Sequence, residues 1–353
     1  RNPIMLKYGR VPYQVLLDAV SSDIRLQTAL SALWFDYMLP PHRASVAYGI
    51  GAWHHYLSGA YYPRGGSRAL RDAFIAALNE HGAAVKVSCR VSAIERRGDH
   101  FIVTGSDGAQ WTTKVVVSNV DPTITLGKRV SQGLVPTRVA KKAARLQPSG
   151  SVFGVFVGTD LDLPSLGITT ENLVHYGAYN VNEIFREMMD PESPDLSKCI
   201  LINSPSVRCS EGGLTPKARH SVQILAAANY TAFERWERLP LEERGAEYTD
   251  FVKALGEQLI SIAERYIPGL SQHMKLVHYM TPLSLENRVN LIRGGIYGPE
   301  LTPAQMGPGR FHDGTCGVAG LFLAGAGAMG GGVRYCVTSG LKAARKATAF
   351  LQP

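Results

Sequence analysis

One segment near the C-terminus narrows the possible folds more than any other. It reads Gly320-Leu321-Phe322-Leu323-Ala324-Gly325-Ala326-Gly327-Ala328-Met329-Gly330-Gly331-Gly332-Val333. The apolar run Leu321 to Ala324 predicts a buried strand. The glycines permit φ > 0 and close backbone approach to a ligand. Cys336 to Ala347 then reads as a helix. Glycines feeding a helix N-terminus leave unpaired N–H groups and the positive end of the dipole facing one point, a device for an anion or a polar edge. Gly325, Gly327 and Gly330 formally spell G-x-G-x-x-G. The dinucleotide fingerprint needs a second strand and an acid about 20 residues on. No Asp or Glu follows Gly330, so the turn must complete a site built elsewhere. The plainer alternative is a tight strand-to-helix turn that binds nothing.

A second segment, Gly59-Ala60-Tyr61-Tyr62-Pro63-Arg64-Gly65-Gly66-Ser67, leads into a helix with Leu70, Phe74, Ile75 and Leu78 at helical spacing. Ser67 suits the N-cap and Gly82 the stop. Ala84 to Glu95 and His100 to Thr104 read as two strands around the turn Arg97-Gly98-Asp99. Lys114 to Pro122 (KVVVSNVDP) reads as an apolar strand closed by a polar turn. Further on, Ser151 to Gly158, Lys198 to Asn203 and Ser221 to Ala227 predict strands of an antiparallel or mixed sheet. Leu241 to Tyr266 predicts a long helix stopped by Pro268-Gly269, with Phe251, Leu255, Leu259 and Ile262 as its core stripe.

 

The order YYPRGGS-helix, VSCRVSAI strand, hairpin, KVVVSNVDPT, a long middle, then TPAQMGPGR and GLFLAGAGAMGGGV resembles the FAD-dependent phytoene desaturase, carotenoid isomerase and retinol saturase family. That family belongs to the amine-oxidase-like flavoproteins. The likeness is strongest over 42–122 and 281–350. It implies a mixed α/β (α+β) architecture, in which a partial FAD/NAD(P)-binding, Rossmann-like domain is interleaved with a substrate domain of mixed sheet plus helices. The expected division is a substrate-domain helical segment over 1–58, an FAD-domain segment over 59–125, the substrate domain over 126–280 and a C-terminal FAD-domain segment over 281–353. Such proteins begin with a β-α-β unit that carries the true G-x-G-x-x-G and a ribose-binding acid, and this chain shows neither. Arg1 is not an initiator and the first Met is Met5. The expectation is therefore a truncated, processed or split product, whose other half, in the same chain or a second one, holds the ADP part of FAD.

By the same resemblance, Gly331, Gly332 and Val333 meet the pyrimidine edge of the flavin. Gly325, Ala326 and Gly327 pass its ribityl and pyrophosphate section. Val91 presents its backbone to the adenine, and Pro63, Arg64, Gly65 and Gly66 lie along the flavin near the substrate mouth. Ala326 stands where family members often carry an acid. Trp53, His54, His55 and Tyr56, with Tyr61 and Tyr62, are candidates for a tunnel wall around a polyene, with a His for proton transfer. Read without the family, they are packed aromatics and satisfied histidines. A catalytic residue is not assigned, because flavin chemistry needs no protein nucleophile or metal.

Composition excludes other classes. The formal net charge of +8 favours anionic partners, yet the basic clusters Arg96-Arg97 and Lys141-Lys142 are short and form no stripe suited to nucleic acid. Asp23 with Arg25, and His42 with Arg43, read as surface or interdomain pairs. The five cysteines are scattered without a C-x-x-C, which argues against zinc and a redox pair. Cys316 to Val333 is uncharged, but its glycines and strand-turn pattern do not suit a membrane span. A cytoplasmic chain, or one held peripherally on a membrane, is expected. Three functions fit: a flavoenzyme acting on a polyene by desaturation, saturation or isomerisation; another amine-oxidase-like FAD oxidoreductase with a smaller substrate; or a non-catalytic subunit that needs a partner chain carrying the dinucleotide motif.

Overall fold

The computed structural model describes residues 8–209 and 213–352. Its larger body is built on a five-stranded sheet. The strands are β5 (Ser151–Thr159), β6 (Leu173–Tyr176), β7 (Cys199–Asn203), β8 (His220–Ala228) and β9 (Met274–Met280), ordered β6-β7-β8-β5-β9. Every pairing is antiparallel. The interior strand β5, between β8 and β9, is buried on both faces, as the run Ser151-Val152-Phe153-Gly154-Val155 requires. Three of these strands match the sequence expectation. β6 and β9 lie at the sheet edges, and their half-exposed residues carry weaker patterns.

Helices cover this sheet. Of the longer ones, α1 (Tyr13–Val20), α2 (Ile24–Leu30) and α3 (Val46–Leu57) precede α4 (Gly66–Glu80), and α5 (Thr137–Ala144), α6 (Val181–Met188), α7 (Gly245–Ala263), α8 (Pro282–Val289) and α9 (Val333–Leu351) follow. The helix expected over 241–266 is shorter. Leu241–Glu243 forms a separate tight turn, and Gly245 enters α7 with φ of 72°. Leu255, Leu259 and Ile262 of its stripe are buried in the main core, and Phe251 packs against that core. Trp34, Tyr37, Met38 and Leu39 join the same core from the N-terminal segment.

A second, smaller body surrounds two sheets. β1 (Val91–Arg97), β2 (His100–Gly105) and β3 (Gln110–Thr113) form an antiparallel meander. β4 (Val116–Ser118) pairs in parallel with β10 (Leu321–Leu323), in the register Leu321 to Val116, Phe322 to Val117 and Leu323 to Ser118. Ile94, Phe101, Leu126, Val130, Phe311, Leu321 and Leu323 make its core. The strand expected over 84–95 is overcalled: only Val91 onward forms β1. Among the described residues no strand lies beside 84–90, and a strand without a ladder partner leaves its N–H and C=O groups unpaired.

Candidate functional site

The glycine-rich turn follows β10 and ends at α9, so the sequence reading of strand, turn and helix holds, with α9 starting at Val333. Its glycines differ in what surrounds them. Gly325 has φ of 80°, and a methyl there would collide with the Asn119 side chain. Its N–H donates to Ser339 Oγ at 2.7 Å. A Cβ on Gly327 would lie 2.5 Å from Pro122 Cδ. These two glycines let the turn pack on the polar end of β4. Gly330 lies against the Tyr48 hydroxyl, and Gly331 against the Tyr297 ring. Gly332 is different. It has φ of 93°, and a Cβ there would meet nothing within 4 Å. It is the N-cap of α9 with no side chain capping it. The first N–H groups of a 19-residue helix therefore open beside a bare backbone position.

Arg310 completes this corner. It is only 1% exposed. Its Nε donates to the Gln305 carbonyl at 2.7 Å, and its Nη2 donates to the carbonyls of Pro299 at 2.8 Å and Glu300 at 3.0 Å. Its Nη1 is buried without a partner and lies 3.6 Å from where a Gly330 Cβ would be. A buried charged donor without an acceptor is costly, so this one fits an acceptor-rich ligand edge at the turn. Burial pulls the Arg310 pKa down, and burial pushes the Tyr48 phenol up to about 12. Arg310 is the last residue of the TPAQMGPGR stretch, and nothing in the sequence marks its guanidinium as buried.

Two cavities bear on the site, though none of their lining residues belongs to the turn itself. The first, about 710 Å³, lies at the C-terminal end of β4 and is lined by Arg90, Val91, Ser118, Asn119 and Val120, among others. In open parallel sheets, ligands sit at this end of the strands. Val91 and the Asn119 that touches Gly325 thus share one cleft.

The second cavity, also about 710 Å³, is bounded by Leu33, Phe35, Tyr56, Tyr61 and Tyr62, with Val174 and Leu201 of the large sheet. His55 and Asp36 also line it. Of the candidate tunnel residues, Trp53 and His54 are not among its lining. The Trp53 indole N–H donates to the Leu30 carbonyl at 2.6 Å, tying α3 to α2, and His54 is exposed. Pro63 and Arg64 are exposed just beyond Tyr62. Gly65 and Gly66 take φ of 81° and 72°, and the Gly65 N–H points at Cys209 Sγ, 2.9 Å away. The Arg208 guanidinium stacks over Tyr62 at the cavity rim.

Asp36 escaped the sequence reading. Its signal was present: it is the only charged residue in Ala29 to Pro41. Burial raises its pKa, opposed by the neighbouring Tyr56 hydroxyl and by His55. Tyr297, which packs on Gly331, has its phenol pushed up by burial and by the proximity of Asp36 and Tyr56. One chain of neighbours therefore runs from the glycine turn to the second cavity. The other sequence pairs are structural: Arg25 bridges Asp23 at 3.0 Å on the surface, Arg43 bridges Glu300 at 2.6 Å, and His42 bonds Asn182. All five cysteines are free. Among the described residues no cluster suits a metal, and no helix is long and apolar enough to cross a membrane.

The chain belongs to the flavin-containing amine oxidoreductase family, whose model it matches over residues 3–188. It is 26% identical over 293 residues to the inactive all-trans-retinol 13,14-reductase of Danio rerio, covering 80% of this chain and 48% of that protein. It is 28% identical over 338 residues to the phytoene dehydrogenase of Streptomyces griseus, covering 93% of this chain and 61% of that protein. The chain thus spans about half the length of several curated relatives it matches. An oxidoreductase from Methanosarcina mazei has the same fold, with a TM-score of 0.62 at 15% identity over 97% of this chain and 71% of that one. The cofactor class of the family is a flavin.

Proposed function

We propose that this chain is the substrate-binding and flavin-edge part of an FAD-dependent oxidoreductase that acts on double bonds of an apolar polyene, such as a carotenoid or retinoid. The observation that carries the reading is the buried Arg310 Nη1, without an acceptor, beside the uncapped start of α9. The relatives named as retinol reductases and phytoene desaturases support the substrate class.

The residues present fit a flavin. Gly332 admits close approach, and the N–H groups of the first turn of α9 with Arg310 Nη1 supply donors for the polar edge of the ring. Tyr48 and Tyr297 back the glycines. The cleft of Val91 and Asn119 suits the adenine end. When bound, a flavin supplies reversible hydride transfer. The chain's own task is then to hold a double bond still and keep water away. Leu33, Phe35, Tyr56, Tyr61 and Tyr62 provide such an apolar and aromatic wall. An apolar ligand gains roughly 25 cal/mol per Å² of buried surface before the cost of binding is subtracted, so few polar contacts are needed.

The site is completed by a β-α-β half with the dinucleotide motif, in the same chain or a second one. What supports this is apolar surface without cover. Val117 of β4 is 46% exposed although a parallel strand is normally buried on both faces. Phe74 of α4, Val87, and Val333 and Leu341 of α9 are exposed as well. Peripheral membrane contact fits the same reading: Leu57 and Tyr61, beside the second cavity, are 84% and 92% exposed, on a chain with a positive net charge.

The test is to assay the completed flavoprotein with polyenes and with small amines, with and without anionic liposomes. Polyene turnover that liposomes increase supports the proposal. Turnover of amines alone, without a liposome effect, favours the smaller-substrate oxidoreductase.

A further inference from the structure

The second cavity holds one half-buried acid beside its apolar wall. Asp36 closes the short helical turn Trp34–Asp36, which is anchored by Trp34 and Phe35, 0% and 7% exposed. Trp34 packs edge-on against Phe185 at 5.8 Å. The carboxyl group therefore sits on a rigid support. Tyr56, at the end of α3, neighbours it, and both line the cavity. The only other acid in that lining, Glu171, is exposed.

We infer that Asp36 is the proton-carrying catalytic residue of this site, with Tyr56 positioning its carboxyl. The inference rests on the polyene-oxidoreductase reading. In saturation, Asp36 gives its proton to one carbon of the double bond, and the π electron pair forms that C–H bond. The neighbouring carbon takes hydride from the reduced flavin, which is oxidised as the double bond is reduced. Asp36 is left as carboxylate and regains a proton from water at the open side of the cavity. Dehydrogenation runs the same step backwards, with the carboxylate as base and the oxidised flavin as hydride acceptor.

The groups around Asp36 suit this role. Burial favours the neutral acid, while the neighbouring Tyr56 hydroxyl and His55 favour the carboxylate. Tyr37, the next residue, and Tyr297 both have phenols held high by burial, with Asp36 adding to the effect. They stay neutral and do not compete for the proton. Arg208 and Glu171 also line the cavity. An acid whose pKa is lifted toward the working pH is the better proton carrier. The bland alternative is an Asp–Tyr pair that merely joins two helical elements.

Three variants of the flavin-loaded protein separate these readings: Asp36→Asn, Asp36→Glu and Tyr56→Phe. Each is examined by infrared spectroscopy, by polyene binding and by turnover in D₂O. The inference expects a carboxylic-acid band that titrates above the ordinary Asp value of about 3.9 and vanishes in Asp36→Asn. It expects Asp36→Asn to lose about 10²- to 10⁴-fold in turnover and in solvent-deuterium incorporation, with flavin content and polyene binding kept. Asp36→Glu restores part of the rate. Tyr56→Phe moves the band's titration to higher pH. Absence of the band, or unchanged turnover and pH profile in Asp36→Asn, overturns the inference. A wild-type protein that neither binds nor converts polyenes overturns the functional reading instead, and the infrared result still decides whether Asp36 holds a proton.

Discussion

The two bodies of this molecule handle their apolar surface in opposite ways. The five-stranded sheet buries its interior strand β5 on both faces, and Phe153 stacks between Phe233 and Tyr279 at 6.4 and 6.2 Å. The small body joins a three-stranded meander to a two-stranded parallel sheet, and exposes Val117 of the latter, as Phe74, Val87 and Leu341 are exposed elsewhere. Two parallel strands do not form a stable sheet alone. The first body is a finished core. On the proposed reading the second is one side of an interface with a completing half, and it carries the glycine turn.

Substitutions should expose this contrast. Phe153→Ala should cost about 3–5 kcal/mol in chemical denaturation, because the ring is wholly buried among fixed neighbours. Gly331→Ala should cost about 1–3 kcal/mol, since its methyl meets the Tyr297 ring. Gly332→Val should cost about 1–2 kcal/mol, from backbone conformation alone. It should leave the large body folded while abolishing flavin retention in the completed enzyme. Normal flavin content and redox behaviour in Gly332→Val would make these glycines purely structural. Phe74→Ala should change the stability of this chain by no more than about 0.5 kcal/mol, yet weaken its association with the completing half. A large loss in the chain alone would mean that α4 is already covered.

Acid should act on both bodies through surface carboxylates. Asp160, just after β5, meets Arg219 at 3.0 Å, His273 at 2.8 Å and Lys275 at 2.9 Å, clamping the adjoining ends of β8 and β9. Its pKa is lowered chiefly by Lys275 and His273, and that of Asp107 is lowered to about 2 by Lys86. Groups lowered on folding stabilise fully above their unfolded pKa, about 3.9 for Asp, and lose that contribution as pH falls toward the folded value. Thermal midpoints should therefore fall modestly below about pH 4, less so at high salt. Asp160→Asn should flatten the curve, and an unchanged curve would mean that the clamp is too well solvated to matter.

Legibility in the sequence followed burial. β5, β7, β8 and β10 are runs of buried apolar residues and were predicted. β6 and β9 were missed because edge strands need bury little. Val85 and Val87 alternate as a strand would, and 84–90 was overcalled because sequence pattern does not reveal whether a ladder partner exists. The glycine turn was legible as a shape. Its division of labour was not: Gly325, Gly327 and Gly331 answer to Asn119, Pro122 and Tyr297, which are distant in sequence, and only Gly332 faces open space. Arg310 and Asp36 became visible as site residues only when their surroundings did.

The most direct measurement is flavin stoichiometry. FAD is titrated against the isolated 353-residue chain, and against the same chain supplied with a β-α-β half bearing the dinucleotide motif, with bound flavin read from its absorbance after gel filtration. The account predicts no stoichiometric retention by the chain alone and one flavin per complex once the half is restored. Stoichiometric FAD on the isolated chain would contradict it.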